Sequence, residues 1–150
     1  MRYNREKAAK YAQKWAFSRN PDYYNYDSLG GDCTNFVSQC LYAGIGQMNY
    51  YGWYYIDANN KSPSWTGVNF LYDFLINNTG NGPRGKIVTR DELEIGDVIQ
   101  LSFSSNIFGH TLIISEIDGR NIYVCAHTID SKNRPLSTYT YENARFIKIS

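Results

Sequence analysis

The chain has 150 residues, and 15 Lys and Arg against 14 Asp and Glu leave a formal charge of +1. That length suits one domain over 1–150, and a chain of this size buries about 70% of its unfolded surface, enough for a core without disulfide staples. With no long basic run there is no electrostatic footprint for nucleic acid or an anionic membrane, and no apolar stretch approaches the ~18 residues of a bilayer span.

Met1-Arg2-Tyr3-Asn4-Arg5-Glu6-Lys7 holds no apolar signal region, so an export signal is expected to be absent or already removed. The three cysteines cannot all pair and none sits in a Cys-x-x-Cys, so at least one thiol is free in an isolated chain. Aromatics make up 16% of residues, dominated by 14 Tyr, a composition that suits sugar or peptide contacts and equally suits ordinary half-buried packing.

The first half reads helical. Asn4 is placed to cap a helix through about Ser18, with Glu6 in its first turn and Ala8, Tyr11, Ala12, Trp15 and Ala16 on one face. Asn20-Pro21 stops it. Gly30-Gly31 forms a turn, and Asp32 is placed to cap a second helix through about Tyr42, ended near Gly44. Phe36, Val37, Cys40 and Leu41 share one side of that helix and should be core. A Tyr/Trp-rich loop follows over 47–64, then a third helix over 67–76 with Val68, Leu71 and Leu75 inward, then a Gly/Asn/Pro loop to Gly85.

The second half reads extended, with strands over 97–103, 110–117, 121–127 and about 145–149, and a hairpin turn at Asp118-Gly119. Helices first and an antiparallel sheet second make the fold class α+β.

Cys33 is the most informative position. In the first turn of a buried helix, unpaired amides and the positive end of the dipole favour thiolate, the form that attacks a carbonyl. The same amides could hold the oxyanion that results. Asp32 opposes a low thiol pKa by charge but orients the helix. The alternative for Cys33 is a small buried hydrophobe.

A cysteine nucleophile needs a base, and the two histidines are His110, after Gly109 at a strand start, and His127, at the end of the next strand. If Asp118 and Gly119 form the turn, Ile117 faces Arg120 and His110 faces His127 directly across the hairpin. That is the relation of a base and the group orienting its ring, although one residue of loop length would place them on opposite faces. Each histidine could equally be structural. A zinc site from Cys33, His110, Cys125 and His127 is a further alternative without paired ligand spacing. Gln39, Cys40 and Asp97 read as structural, and no Gly-rich phosphate loop or paired-carboxylate site is present.

The segment Gly30-Gly31-Asp32-Cys33-Thr34-Asn35-Phe36-Val37-Ser38-Gln39-Cys40-Leu41 resembles the nucleophile segment of the bacterial family named the Putative amidase domain, in the papain-like group related to NlpC/P60 and CHAP cell-wall peptidases. The resemblance spans nearly the whole chain. It takes in Tyr11-Ala12-Gln13-Lys14-Trp15-Ala16, Arg19-Asn20-Pro21, Ser62-Pro63-Ser64-Trp65-Thr66-Gly67-Val68, Leu93-Glu94-Ile95-Gly96-Asp97-Val98-Ile99-Gln100-Leu101, His110-Thr111-Leu112-Ile113-Ile114, Ala126-His127-Thr128-Ile129-Asp130 and Arg134-Pro135-Leu136-Ser137.

The resemblance implies a papain-like, NlpC/P60-like fold with Cys33 as nucleophile and His110 as general base. It implies a third polar residue on the following strand, His127, with Asp130 as its rival. Papain's oxyanion glutamine has no matched position; Gln13 and Gln39 stay unassigned. The implied function is a cysteine amidase or peptidase acting on a peptide or a peptidoglycan stem, with no cofactor. Secretion or cell-wall association follows only by analogy, and oligomeric state is undetermined. Tyr50-Tyr51-Gly52-Trp53-Tyr54-Tyr55 with Trp65 is a candidate cleft wall, and plain core packing explains Trp65 equally well. The rival reading from another class is a catalytically silent peptide- or glycan-binding module.

Overall fold

In the computed structural model, which describes residues 2–150, four α-helices precede the whole of a six-stranded sheet. The helices are α1 (Arg5–Trp15), α2 (Cys33–Ile45), α3 (Pro63–Thr66) and α4 (Val68–Asn77). The strands are β1 (Tyr55–Asp57), β2 (Asn60–Lys61), β3 (Gly85–Ile87), β4 (Val98–Ser104), β5 (Ile107–Asp118), β6 (Asn121–Ala126), β7 (Ser131–Pro135) and β8 (Asn143–Ile149). β1 and β2 form a small hairpin, and the main sheet runs β3-β8-β4-β5-β6-β7, antiparallel throughout. The class is α+β, as expected. No helix among the described residues is long and apolar enough to cross a membrane.

α1 starts where Asn4 Oδ1 accepts from the Lys7 amide at 3.0 Å. Its inward face is Ala8, Ala9 and Ala12, followed by the equally buried Ala16, small enough to let α2 approach closely. The closest fit is at Gly44, where a Cβ would stand 2.5 Å from the Tyr3 ring and 2.9 Å from the Asn4 carbonyl. α1 is anchored at its start by Arg5, whose Nη1 lies 2.6 Å from the fully buried Asp97 carboxylate. Asp97 also accepts from the amides of Glu94 at 2.8 Å and Ile149 at 2.9 Å, so it ties α1 to β4 and β8 as a structural residue.

α2 extends past the expected end near Gly44, to Ile45, where Gly46 turns left-handed at φ 71° and donates to the Tyr42 carbonyl. Eleven of its 13 residues are buried, because it lies between α1, α3 and the sheet.

The sheet is buried on both faces, which is why His110 through Ser115 shows an unbroken buried run rather than alternation. Val98, Ile113, Cys125, Ile147 and Ile149 face the helices with Phe36, Val37, Leu41, Leu71 and Leu75. Ile99, Leu101, Leu112, Ile114, Ile122 and Val124 face away, covered by Leu93 and Leu136.

The β5–β6 register corrects the expected one. Asp118 pairs with Asn121, so the two loop residues are Gly119 and Arg120, with Gly119 at φ 61° taking the position that requires left-handed backbone. A bulge at Ser115 then shifts the register again, giving Ile114↔Val124 and Ile113↔Cys125. The Ser115 hydroxyl holds that bulge by donating to Asn133 Oδ1 at 2.7 Å, with the Tyr123 carbonyl 3.3 Å away. His110 and His127 are therefore not direct cross-strand partners.

The expected aromatic cleft wall is also corrected. Trp53 and Trp65 are fully buried and Tyr55 nearly so, with the two indoles 4.6 Å apart. Trp65 Nε1 donates to Asn35 Oδ1 at 3.0 Å, so this group is core that braces α2, and only Tyr50 and Tyr51 are left outside. Trp65→Ala should lower unfolding free energy by about 3–5 kcal/mol in urea melts, the cost of an unfilled indole cavity; a loss below 1 kcal/mol would return Trp65 to the surface.

Candidate active site

Cys33 is the first residue of α2 and is nearly buried, at 8% exposure. Gly30 and Gly31 deliver it through left-handed backbone at φ 87° and 99°. Gly31 has little room for a side chain, since a Cβ there would meet Thr128 Oγ1 at 3.3 Å. Cys33 Sγ lies 3.8 Å from Thr34 Oγ1, and Thr34 Oγ1 bonds Thr111 Oγ1 on β5 at 2.9 Å. The turn carrying the sulfur is thus pinned to β5 one residue away from His110.

Asp32 does not cap α2 with its side chain, contrary to expectation. Its carboxylate turns away and accepts from the Tyr26 amide at 2.9 Å, Asn35 Nδ2 at 2.9 Å and His127 Nδ1 at 2.6 Å. The first intrahelical bond is Phe36 N to Asp32 O at 2.9 Å. The preceding amides, of Cys33, Thr34 and Asn35, have no acceptor within the helix and none from the cap side chain.

His127 lies just beyond β6 and is 1% exposed. Its ring stacks on Phe36 of α2 with centroids 3.9 Å apart. Nε2 lies 2.8 Å from the Trp15 carbonyl and 3.1 Å from Arg19 Nη1. Both Asp32 and the Trp15 carbonyl are acceptors, so each ring nitrogen that carries a proton has a place to donate it. Both nitrogens are occupied away from His110.

Arg19 organises the surroundings; the sequence placed it in the Arg19-Asn20-Pro21 segment of the family resemblance but gave it no chemical role. Its guanidinium pairs with Asp27 at 2.9 Å and Asp130 at 2.8 Å, and Nε stands 3.7 Å from Asp32. The hydrogen bond from Arg19 is the main cause holding the Asp27 carboxyl below its ordinary range. Asp130, the rival third residue, is thus committed to Arg19.

His110 is the fourth residue of β5, which begins at Ile107 rather than at His110 as expected; it pairs with Leu101 on the sheet face of Leu112 and Ile114. Its ring is 8% exposed and stands 6.4 Å from Phe103 and 6.2 Å from Tyr139, centroid to centroid. It borders a cavity of about 280 Å³ that Thr128, Ile129 and Arg134 also line. Burial, and secondarily the Arg134 cation, push its pKa down to about 4, so at neutral pH the ring is uncharged and able to accept a proton.

The structure therefore brings His127 to Asp32 and brings the Cys33 turn to the head of β5. Among the described residues no hydrogen bond joins Cys33 to either histidine. Nor does any group of three His, Cys, Asp or Glu lie close enough to hold a metal, so the Cys33, His110, Cys125 and His127 zinc set is not assembled. Gln39 Oε1 accepts from the Tyr11 hydroxyl and Gln13 Nε2 donates to Asn133, which commits both side chains elsewhere. All three cysteines are free.

Two outcomes follow. His127→Ala strands a buried carboxylate, and its unfolding free energy should fall by about 3–5 kcal/mol in urea titrations; an unchanged midpoint would deny the pair its structural weight. For His110, the folded pKa near 4 lies below the unfolded value near 6.5, so the unfolded chain binds more protons between them. Its contribution is present above pH 6.5 and is lost as pH falls toward 4, by up to about 3 kcal/mol. Wild type should lose stability relative to His110→Gln across that window, and parallel curves would refute the shift.

Comparison with known proteins adds the family. The model described as "Putative amidase domain" matches residues 2–150. The Bacillus subtilis (strain 168) "Uncharacterized protein YhbB" is 34% identical over 149 residues, which cover 95% of this chain and 46% of that protein. "Uncharacterized protein YjcM" of the same organism is 29% identical over 143 residues, covering 89% of this chain and 32% of that protein. The chain thus spans less than half the length of these relatives. No solved structure matches. The chain belongs to the Putative amidase domain family, whose description carries amidase as its activity.

Proposed function

We propose that the chain is a cysteine amidase with a papain-like, NlpC/P60-like arrangement, in which Cys33 forms a thioester with the acyl part of an amide substrate. The observation that carries this reading is the Thr34–Thr111 bond, which pins the nucleophile's helix start to the strand that bears an uncharged His110.

In the reaction, Cys33 Sγ attacks the amide carbonyl as His110 takes the sulfur's proton. The uncapped amides at the start of α2 hold the developing oxyanion, where preorganised donors are each worth about 3 kcal/mol. The C–N bond then breaks, and His110 returns the proton to the leaving amine. Water, deprotonated by the same ring, hydrolyses the thioester. His110 and Cys33 are not hydrogen-bonded in the free chain: Thr111 faces α2 and His110 the other side of the sheet, so the reading requires the ring to reach the sulfur around the strand edge at Gly109, where the register shifts. His127 is a positioning residue here. By holding Asp32 off the helix start it leaves those amides open.

The substrate class is a short peptide, with the peptide stem of bacterial cell wall as the candidate suggested by the NlpC/P60 resemblance. The missing Cys33–His110 bond favours one second reading, a silent module that binds peptide in the same cleft.

Iodoacetamide at pH 6 separates the two. Burial raises the pKa of the Cys40 and Cys125 thiols, so Cys33 should be alkylated well before either. Digestion of purified peptidoglycan with mass analysis should yield cleaved stems from wild type and none from Cys33→Ala, while His110→Ala should slow turnover by about 10²–10⁴-fold. Equal labelling of all three thiols, with no product from wild type, would leave the binding module standing.

A further inference from the structure

The cavity beside His110 has a chemical character that amide hydrolysis alone does not require. Its walls are the Phe103 and Tyr139 rings and the Ile129 side chain, and its volume of about 280 Å³ leaves room for one amino-acid residue. At its rim Gly109 is the unpaired residue where the β4–β5 register shifts, between Leu101↔His110 and Ser102↔Phe108. A Cβ built on Gly109 meets nothing within 4 Å, so the space above that backbone is open.

Ile129 is 81% exposed and sits at φ 59°, directly after Thr128 at φ 62°. A β-branched side chain in left-handed backbone costs about 1–3 kcal/mol, and here that strain presents an apolar surface to the cavity instead of burying it. Phe103 is likewise 55% exposed.

Arg134 is the charged side chain that lines this cavity, and no carboxylate pairs with it among the described residues. Its guanidinium is fixed all the same. Nε donates to Thr138 Oγ1 at 2.7 Å, Nη2 donates to the Thr138 carbonyl at 3.1 Å, and the plane lies 3.7 Å over the Tyr139 ring. The Nη1 edge has no partner among the described residues. A guanidinium held flat by neutral acceptors and a ring, with one edge left open, is organised in advance for an external carboxylate.

We infer that this cavity seats a C-terminal amino-acid residue on the leaving side of the scissile amide, its apolar side chain against Phe103 and Ile129 and its free carboxylate on Arg134. The inference rests on the amidase reading for its reaction but not for its binding. It narrows the substrates to short peptides and N-acyl amino acids that end in an apolar residue. The amine released is then a free amino acid, which leaves with the proton from His110.

N-acetyl-leucine is the smallest compound with every required group, and N-acetyl-leucinamide differs from it only in lacking the charge. Calorimetric titration of the Cys33→Ala chain should give at least about ten-fold tighter binding of the carboxylate, the scale of a charge-assisted hydrogen bond. Adding Arg134→Gln should bring that ratio to about one in a chain that still unfolds cooperatively in thermal melts. Equal affinities, no binding of either compound, or a ratio that survives Arg134→Gln would overturn the site. Wild-type turnover of N-acetyl-alanyl-leucine against its C-terminal amide reads the reaction separately. A binding preference with no turnover of either would support the site and sink the amidase reading. Equal turnover without a binding preference would do the reverse.

Discussion

The buried contact between His127 and Asp32 is the constraint on which the site's architecture depends. Asp32 occupies the position from which a short carboxylate ordinarily satisfies the first amides of a helix. Here the carboxylate is drawn to an imidazole from the sheet layer, backed by Arg19 and by the Phe36 ring. One interaction thereby does two things. It joins α2 to the end of β6 across the core, and it leaves the donors around Cys33 uncommitted. The cost is a pair of polar groups with almost no solvent, tolerable because Tyr26, Asn35 and Trp15 supply the remaining partners.

The second structural theme is a sheet with two covered faces. The helix side carries the Thr34–Thr111 bond, and the other side carries His110 among Leu101, Leu112 and Tyr139. Neighbouring residues on β5 thus serve different layers, one fixing the helix that begins at Cys33 and the next bordering the cavity. Gly109 and the register shift beside it mark the point where the strand edge opens between those layers.

Much of this was legible in the residues. The Asn4 start of α1, the Gly30-Gly31 approach to Cys33, the helix expected over 67–76 (α4) and the order of helices before strands all follow from local patterns, whereas β1, β2 and the start of α3 fell inside the stretch read as a loop. The hairpin register was not, since Gly119 rather than Asp118 opens the loop and Ser115 adds a bulge held by Asn133, 18 residues away. β3 and β7 were missed because short edge strands carry little periodic signal, and they exist through pairing with β8 and β6. Within the site, the cysteine and histidines stood out by chemistry, whereas Arg19 and Arg134 did not. Their significance comes from Asp27, Asp130, Thr138 and Tyr139, partners that only the folded chain assembles.

The tight seat of Gly44 against Tyr3 and the Asn4 carbonyl has a mechanical corollary. α2 is a rod of 13 residues, about 20 Å long at 1.5 Å per residue, and it is gripped at the end opposite its sulfur. A small tilt introduced at that grip is magnified along the rod's length before it reaches Cys33. The placement of Cys33 is therefore set in part by packing a full helix away from it.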